Sequence, residues 1–169
     1  MNERTVGAAA PASLRVVIAE DSAILRDGLA GLLIERGHQV VEMVGDATRL
    51  SEVVATHRPD VAVVDVRMPP SYTDEGLLAA IELRRKFPGI GVLVFSQWIE
   101  TRYATELLAG GASGVGYLLK DRVADVREFV EALTRVAAGG TALDPEVVSQ
   151  LMGAARQQDS LARLTPTRT

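Results

Sequence analysis

The sequence contains no cysteine, and it has fewer basic than acidic side chains, 18 Lys and Arg against 22 Asp and Glu. The lack of cysteine excludes a disulfide framework, a thiolate zinc site and a cysteine nucleophile, and it is compatible with a reducing compartment. The net charge of -4 argues against binding nucleic acid by bulk electrostatics, because no basic excess is present to attract a phosphate backbone.

Long apolar runs are also absent. No stretch approaches the roughly 18 apolar residues that a transmembrane helix requires, and the beginning of the chain lacks the basic and then apolar layout of a secretory signal. These absences predict a cytoplasmic protein that does not associate with membranes. The alanine-rich residues 1–13, which include Gly7 and Pro11, are predicted to be a disordered leader.

Beyond the leader, short apolar runs alternate with amphipathic stretches. The apolar runs predict five strands, at Leu14–Ala19, Gln39–Val44, Val61–Asp65, Gly91–Phe95 and Val115–Leu119. A helical pattern follows each run: Ser22 is a plausible cap for Ile24, Leu25, Leu29, Leu32 and Leu33, and the last stripe extends from Val123 to Ala137. Five strand–helix pairs, (βα)5, predict one α/β domain with a doubly wound parallel sheet and helices on both faces.

Four of the five predicted strands end in polar side chains. Glu20 and Asp21 follow the first strand, Asp65 ends the third, Ser96 follows the fourth and Lys120 follows the fifth. Because the carboxyl ends of parallel strands share one edge of the sheet, these groups are expected to meet there. Three crowded carboxylates require a cation or take up protons, and hard oxygen ligands point to Mg²⁺, with Mn²⁺ as the alternative.

This set of groups suits a transferring phosphoryl group. A divalent metal and the Lys120 ammonium would neutralise the phosphoryl oxygens, and the Ser96 hydroxyl would donate a hydrogen bond. Asp65 then becomes the nucleophile, and its attack on phosphorus gives an acyl phosphate.

With these residues in place, the chain resembles the receiver domain of a bacterial two-component response regulator over residues 14–140. The resemblance implies a flavodoxin-like sheet of order 2-1-3-4-5, with Asp65 as phosphoacceptor and Ser96 and Lys120 as its partners. It also implies that Asp21, Asp65 and the Arg67 backbone carbonyl bind Mg²⁺ directly, that Glu20 acts through metal-bound water, and that Tyr117 is a rotamer switch following Ser96.

The same resemblance implies a signalling role. A histidine kinase would supply the phosphoryl group, and the change would reach a dimerisation face built by the fourth helix, fifth strand and fifth helix. Such a domain is regulatory, and any catalysis is limited to self-phosphorylation and autodephosphorylation. Arg67 and Trp98 depart from the usual small polar residues near the pocket; they could shield the acyl phosphate, or Arg67 could pair with Glu20 without metal.

Residues 141–169 resemble the connection to an output domain. Asp144 and Pro145 predict the start of a linker helix reaching about Ala155, and Leu161–Pro166 resembles the beginning of a LuxR/NarL-type helix-turn-helix domain. Only three residues follow, so the output domain is expected to be absent, either by truncation or by natural loss. DNA would then be contacted only through a domain that this chain lacks.

Three alternatives remain open. A haloacid-dehalogenase-like phosphatase needs a second Asp two residues after the nucleophile, where this chain has Arg67. A flavodoxin-like nucleotide or flavin binder needs a phosphate loop after the first strand, where Glu20 and Asp21 would repel phosphate unless a metal intervenes. A dimerising receiver that works without phosphorylation would not need the complete set of phosphorylation residues.

Overall fold

The computed structural model describes residues 13–100, 104–109, 111–123, 125–150 and 152–153. The predicted leader, apart from Ser13, and the predicted output-domain beginning at 161–169 lie outside these residues, as does Ala155 at the expected end of the linker helix. Six strands occur in the described part: β1 (Arg15–Ala19), β2 (Gln39–Val44), β3 (Val61–Asp65), β4 (Gly91–Ser96), β5 (Val115–Leu119) and β6 (Thr141–Leu143).

Helices follow the strands in regular alternation. They are α1 (Ala23–Glu35), α2 (Leu50–His57), α3 (Glu75–Lys86), α4 (Ala104–Leu107), α5 (Lys120–Val123), α6 (Val126–Ala137) and α7 (145–150). None of the helices in the described ranges is long and apolar enough to span a membrane. The stripe predicted as one final helix from Val123 is divided, because the Asp125 side chain accepts the N–H groups of Arg127 and Glu128 and starts α6 there.

All strand pairs are parallel, and the sheet order is β2-β1-β3-β4-β5-β6. The doubly wound order 2-1-3-4-5 is therefore confirmed, with one strand more than the five predicted. The additional strand β6 pairs with β5 through Val115 and Thr141, Gly116 and Ala142, and Tyr117 and Leu143. Three residues between two glycines and an Asp-Pro turn are too short to show a strand periodicity, so the sequence pattern missed β6.

The sheet separates two buried clusters, one on each face. β3 and β4 are buried along their whole length, as expected for strands covered on both sides. Ser22 caps α1 by accepting the Leu25 N–H, and Gly37 ends it with φ +91°. The predicted stripe on α1 is wrong at Ile24, whose side chain is 88% exposed, because the first turn projects beyond the edge of the core.

Gly76, in the first turn of α3, lies against the backbone that carries Asp65. A Cβ at this position would come within 1.7 Å of the Asp65 carbonyl oxygen, and the Gly76 N–H donates to the Val66 carbonyl at 2.8 Å. Only glycine allows α3 to approach the end of β3 so closely. Gly28, inside α1, has no heavy atom within 4 Å of its would-be Cβ and provides a matched control.

We expect Gly76→Ala to destabilise the protein by about 3 kcal/mol, because the added methyl must displace backbone in the core. Gly28→Ala should instead stabilise it by about 0.5–1 kcal/mol through helix propensity. Urea unfolding followed by circular dichroism measures both values. Equal stability of the two variants would contradict the close approach of α3 to Asp65.

Candidate functional site

The carboxyl ends of four neighbouring strands form one rim of the sheet. Strand register places them level: Asp65 on β3 lies beside Phe95 on β4, and Ser96 lies beside Leu119 on β5, directly before Lys120. Glu20 and Asp21 follow β1, which pairs with β3. The rim predicted from the strand ends is therefore present.

The three predicted acidic residues come together. One carboxylate oxygen from each of Glu20, Asp21 and Asp65 lies within 4.8 Å of the others. Glu20 is fully buried and Asp65 is 3% exposed, whereas Asp21 is half-buried. At an effective dielectric near 20, like charges at this separation repel by about 3 kcal/mol per pair, so the cluster needs positive charge nearby.

Lys120 supplies part of that charge. Its Nζ lies 3.4 Å from Asp65 Oδ1 and 3.5 Å from Glu20 Oε1, and 5.3 Å from the centre of the Phe95 ring. The ammonium therefore lies against both buried carboxylates. Lys120 is distant from the acids in sequence but lies beside them because it directly follows β5.

Two backbone interactions hold Glu20 in place. The Ser22 N–H donates to Glu20 Oε2 at 2.9 Å, and Arg26 Nη1 donates to the Glu20 carbonyl at 2.8 Å. Arg26 was not predicted, because its role depends on α1 turning back over the end of β1. The Glu20 N–H also donates to the Val44 carbonyl of β2 at 3.0 Å, so the loop after β1 is held by its own helix and by the neighbouring strand.

Burial dominates the titration of the two inner acids. It raises the pKa of Glu20 from 4.5 to about 7, opposed mainly by the hydrogen bond from the Ser22 N–H. Burial also raises the pKa of Asp65, and the nearby Lys120 charge opposes that rise. A raised pKa favours the protonated form of each acid, which lowers the repulsion within the cluster.

The arrangement fits a divalent cation bound through oxygen. Glu20 Oε1 is buried and accepts no hydrogen bond, although its neighbour Oε2 has one. Asp21 stands at the more exposed side of the cluster, where water could complete the coordination shell. Carboxylate oxygens with room for water are the donor set that Mg²⁺ prefers, so Glu20, Asp21 and Asp65 are the candidate ligands.

Ser96 and Tyr117 are linked through the loop after β4. The Ser96 hydroxyl accepts the Trp98 N–H at 3.2 Å, and the Tyr117 hydroxyl donates to the Trp98 carbonyl at 3.0 Å and accepts the Glu100 N–H at 2.9 Å. Both side chains are buried, and burial raises the pKa of Tyr117. A shift of this loop would therefore change the hydrogen bonds of both residues.

Arg67 does not pair with Glu20, the possibility left open above, because Lys120 lies beside that carboxylate. Its guanidinium instead binds Glu100 Oε2 at 3.0 Å and lies 5.7 Å from the centre of the Trp98 ring. This bridge joins the loop after β3 to the loop after β4. Glu100 was not predicted from the sequence. Its position four residues after Ser96 does not indicate an ion pair with Arg67, which lies 33 residues earlier in the chain.

Comparison with known proteins agrees with this geometry. A parallel doubly wound sheet with an acidic cluster, a lysine and a hydroxyl at one rim has its functional groups where α/β domains of this topology bind ligands. The family described as the response regulator receiver domain matches residues 16–134. The chain belongs to this family, whose domains are regulatory rather than catalytic, and the predicted resemblance is confirmed.

Individual relatives are moderately similar. The chain is 30% identical over 140 residues to the oxygen regulatory protein NreC of Staphylococcus carnosus (strain TM300), over 82% of this chain and 62% of that protein. It is 34% identical over 140 residues to the transcriptional regulatory protein DegU of Brevibacillus brevis, over 82% of this chain and 56% of that protein. The matched region therefore spans less than two thirds of these relatives.

Solved structures give the same fold. A crystal structure of a LuxR-family two-component response regulator from Aurantimonas sp. SI85-9A1 superposes with a TM-score of 0.68 at 24% identity, covering 84% of this chain and 97% of that one. At this identity the likeness establishes the fold, and the family match establishes the receiver class.

The raised pKa of Glu20 predicts a pH dependence of stability in metal-free protein. Between pH 4.5 and about 7 the folded protein binds more protons than the unfolded chain, so stability should fall as pH rises through this range. Glu20→Gln removes the Glu20 contribution, and its stability gain over wild type should grow by about 3 kcal/mol from pH 4.5 to pH 8. Urea unfolding in EDTA across this range measures the difference.

Glu35→Gln, at an exposed position on α1, is the matched control and should follow wild type at every pH. Parallel stability curves for Glu20→Gln and wild type would contradict the assigned titration. Added Mg²⁺ should stabilise wild type more at pH 8 than at pH 4.5, because the ion competes with protons for the same oxygens.

Proposed function

We propose that this chain is a phosphorylation switch in which Asp65 accepts a phosphoryl group from a histidine kinase. The observation that carries the proposal is the contact of the Lys120 ammonium with Asp65 inside an acidic cluster. A lysine paired with one carboxylate of a metal-binding set places two kinds of positive charge where phosphoryl oxygens would gather.

In the proposed transfer, an Asp65 carboxylate oxygen forms a bond to phosphorus while the P–N bond of the kinase phosphohistidine breaks. The imidazole nitrogen keeps the electron pair, and Asp65 becomes an acyl phosphate. Lys120 neutralises one phosphoryl oxygen, and Ser96 donates a hydrogen bond to another. Mg²⁺, or Mn²⁺, would neutralise charge on the phosphoryl oxygens, held by Asp21, Asp65 and the Arg67 carbonyl, with Glu20 acting through metal-bound water.

The switch itself is assigned to Ser96 and Tyr117. If Ser96 turns toward the phosphoryl group, the Trp98 N–H loses its acceptor, and the loop that binds the Tyr117 hydroxyl must rearrange. Phosphorylation would then shift the population of two loop and Tyr117 states. Both side chains are fully enclosed, so the change is transmitted by packing and hydrogen bonds.

The dimerisation face expected from the resemblance differs in one respect from the face in the structure. The predicted face used the fourth helix, fifth strand and fifth helix, but the free side of β5 is covered by β6. If two copies of the chain associate through this face, β6 rather than β5 would form the strand of the interface, between α4 and α6. We place the protein in the cytoplasm and propose that it regulates transcription through a DNA-binding output domain, with no direct DNA contact from residues 14–140.

The residue two positions after Asp65 distinguishes this proposal from a haloacid-dehalogenase-like phosphatase. That position must supply an acid or base, whereas here it is the guanidinium of Arg67, bound to Glu100. Arg67 and Trp98 lie against each other in the loops that follow Asp65 and Ser96, and we propose that they limit access of water to the acyl phosphate.

Acetyl phosphate with Mg²⁺ should add one phosphoryl group to the wild-type chain, detected by intact mass and assigned by peptide mapping to Asp65. Asp65→Asn should abolish the adduct because the amide is not a nucleophile of comparable strength. Removing Mg²⁺ with EDTA should also abolish it.

Asp27→Asn, which removes an exposed carboxylate from α1 outside the cluster, is the matched control and should be labelled like wild type. Unchanged labelling of Asp65→Asn would refute the site. A wild-type chain that accepts no phosphoryl group, yet dimerises equally in all forms, would instead support the receiver that acts without phosphorylation.

A further inference from the structure

Tyr117 contacts the functional site and the end of the described chain at the same time. Its hydroxyl binds the loop after β4, as described above. Its backbone carbonyl accepts the N–H of Asp144 at 3.2 Å, and its partner across the sheet is Leu143 on β6. One residue therefore connects the loop beside Ser96 with the segment that starts α7.

Asp144, which follows β6 directly, determines how α7 begins. This residue is 4% exposed; its carbonyl accepts the Val148 N–H at 2.9 Å, and its side chain accepts the Glu146 N–H at 3.3 Å. The same residue thus donates to β5 and caps α7. A displacement of β5 at Tyr117 would act directly on the first turn of α7.

Side-chain packing couples the same two elements. Val147 on α7 is completely buried and belongs to the same hydrophobic cluster as the Tyr117 ring. Ile99, from the loop after β4, and Leu143 pack against this cluster as well. α7 is therefore docked on the shared core through Val147, and its first turn is connected to Tyr117 by the Asp144 backbone hydrogen bond.

We propose that Tyr117 controls the docking of α7, so that the state of the phosphorylation site is passed along β6 and Asp144 to the chain that follows. This inference rests on the proposed function, because Tyr117 must respond to the phosphoryl group on Asp65. It adds a route through the covalent chain, which does not require a dimer face. The structure shows Tyr117 bound to the loop after β4, and the loss of these contacts on phosphorylation, as proposed above, would be the second state that such coupling needs.

Hydrogen exchange of the whole chain tests this route, with beryllium trifluoride and Mg²⁺ as the phosphoryl mimic. In metal-free protein, Tyr117→Phe should raise exchange in 141–150, because the ring loses both loop hydrogen bonds. Tyr72→Phe removes an exposed hydroxyl and should leave exchange there unchanged. Exchange in β1 reports any loss of global stability.

Adding the mimic should change the exchange rate of 141–150 by about fivefold or more in wild type and Tyr72→Phe. Tyr117→Phe should bind the mimic and show less than about half of that change. Asp65→Asn should not respond.

The possible failures are separable. If native mass spectrometry shows the adduct on wild type but exchange in 141–150 does not change, the α7 route is refuted while the phosphorylation site stands. An undiminished response in Tyr117→Phe also refutes the route. If wild type forms no adduct, or Asp65→Asn responds equally, the proposed function fails and this inference fails with it.

Discussion

Repulsion among three carboxylates at one rim of the sheet is the constraint on which the site depends. Glu20, Asp21 and Asp65 meet within 4.8 Å, and the inner two are almost fully buried. Such a cluster persists because Lys120 lies against two of its members and because the buried acids retain protons more strongly. The cost of gathering these charges is what makes the site receptive to a divalent cation.

Contacts to the backbone of Glu20 and Asp65 hold these acids in position. Arg26 fixes the carbonyl of Glu20, and Gly76 lets α3 approach the carbonyl of Asp65. Both contacts come from the helix that follows the strand they support. The helices after β1 and β3 therefore help to position Glu20 and Asp65, while the parallel sheet aligns the strand ends with one another.

The loop after β4 connects the rim to the rest of the molecule. It is bound from one side by Arg67 through Glu100 and from the other by the hydroxyl of Tyr117. The backbone of Tyr117 in turn binds Asp144 at the start of α7. Ser96 is thus connected to Asp144, at the start of α7, through the loop after β4 and the side chain and backbone of Tyr117.

The strand–helix alternation and the rim residues could be predicted from the sequence because both depend on local patterns. Apolar runs of strand length mark the sheet, and parallel strands must place their carboxyl ends together, so Asp65 and Lys120 were expected to meet. The acidic cluster followed for the same reason. The exposed Ile24 was predicted wrongly, since helical spacing does not show where the core ends.

Only the tertiary structure decided the partners that lie far apart in sequence. The pairing of Arg67 with Glu100, the short edge strand β6 and the contact of Gly76 with Asp65 each depend on how close two separate segments approach. Neither the composition of a sequence nor its hydrophobic periodicity indicates how closely two distant segments approach each other. The sequence by itself determined which chemistry reaches the rim, whereas packing determined which neighbours restrain it, because side-chain partners are selected by geometry after the elements have formed.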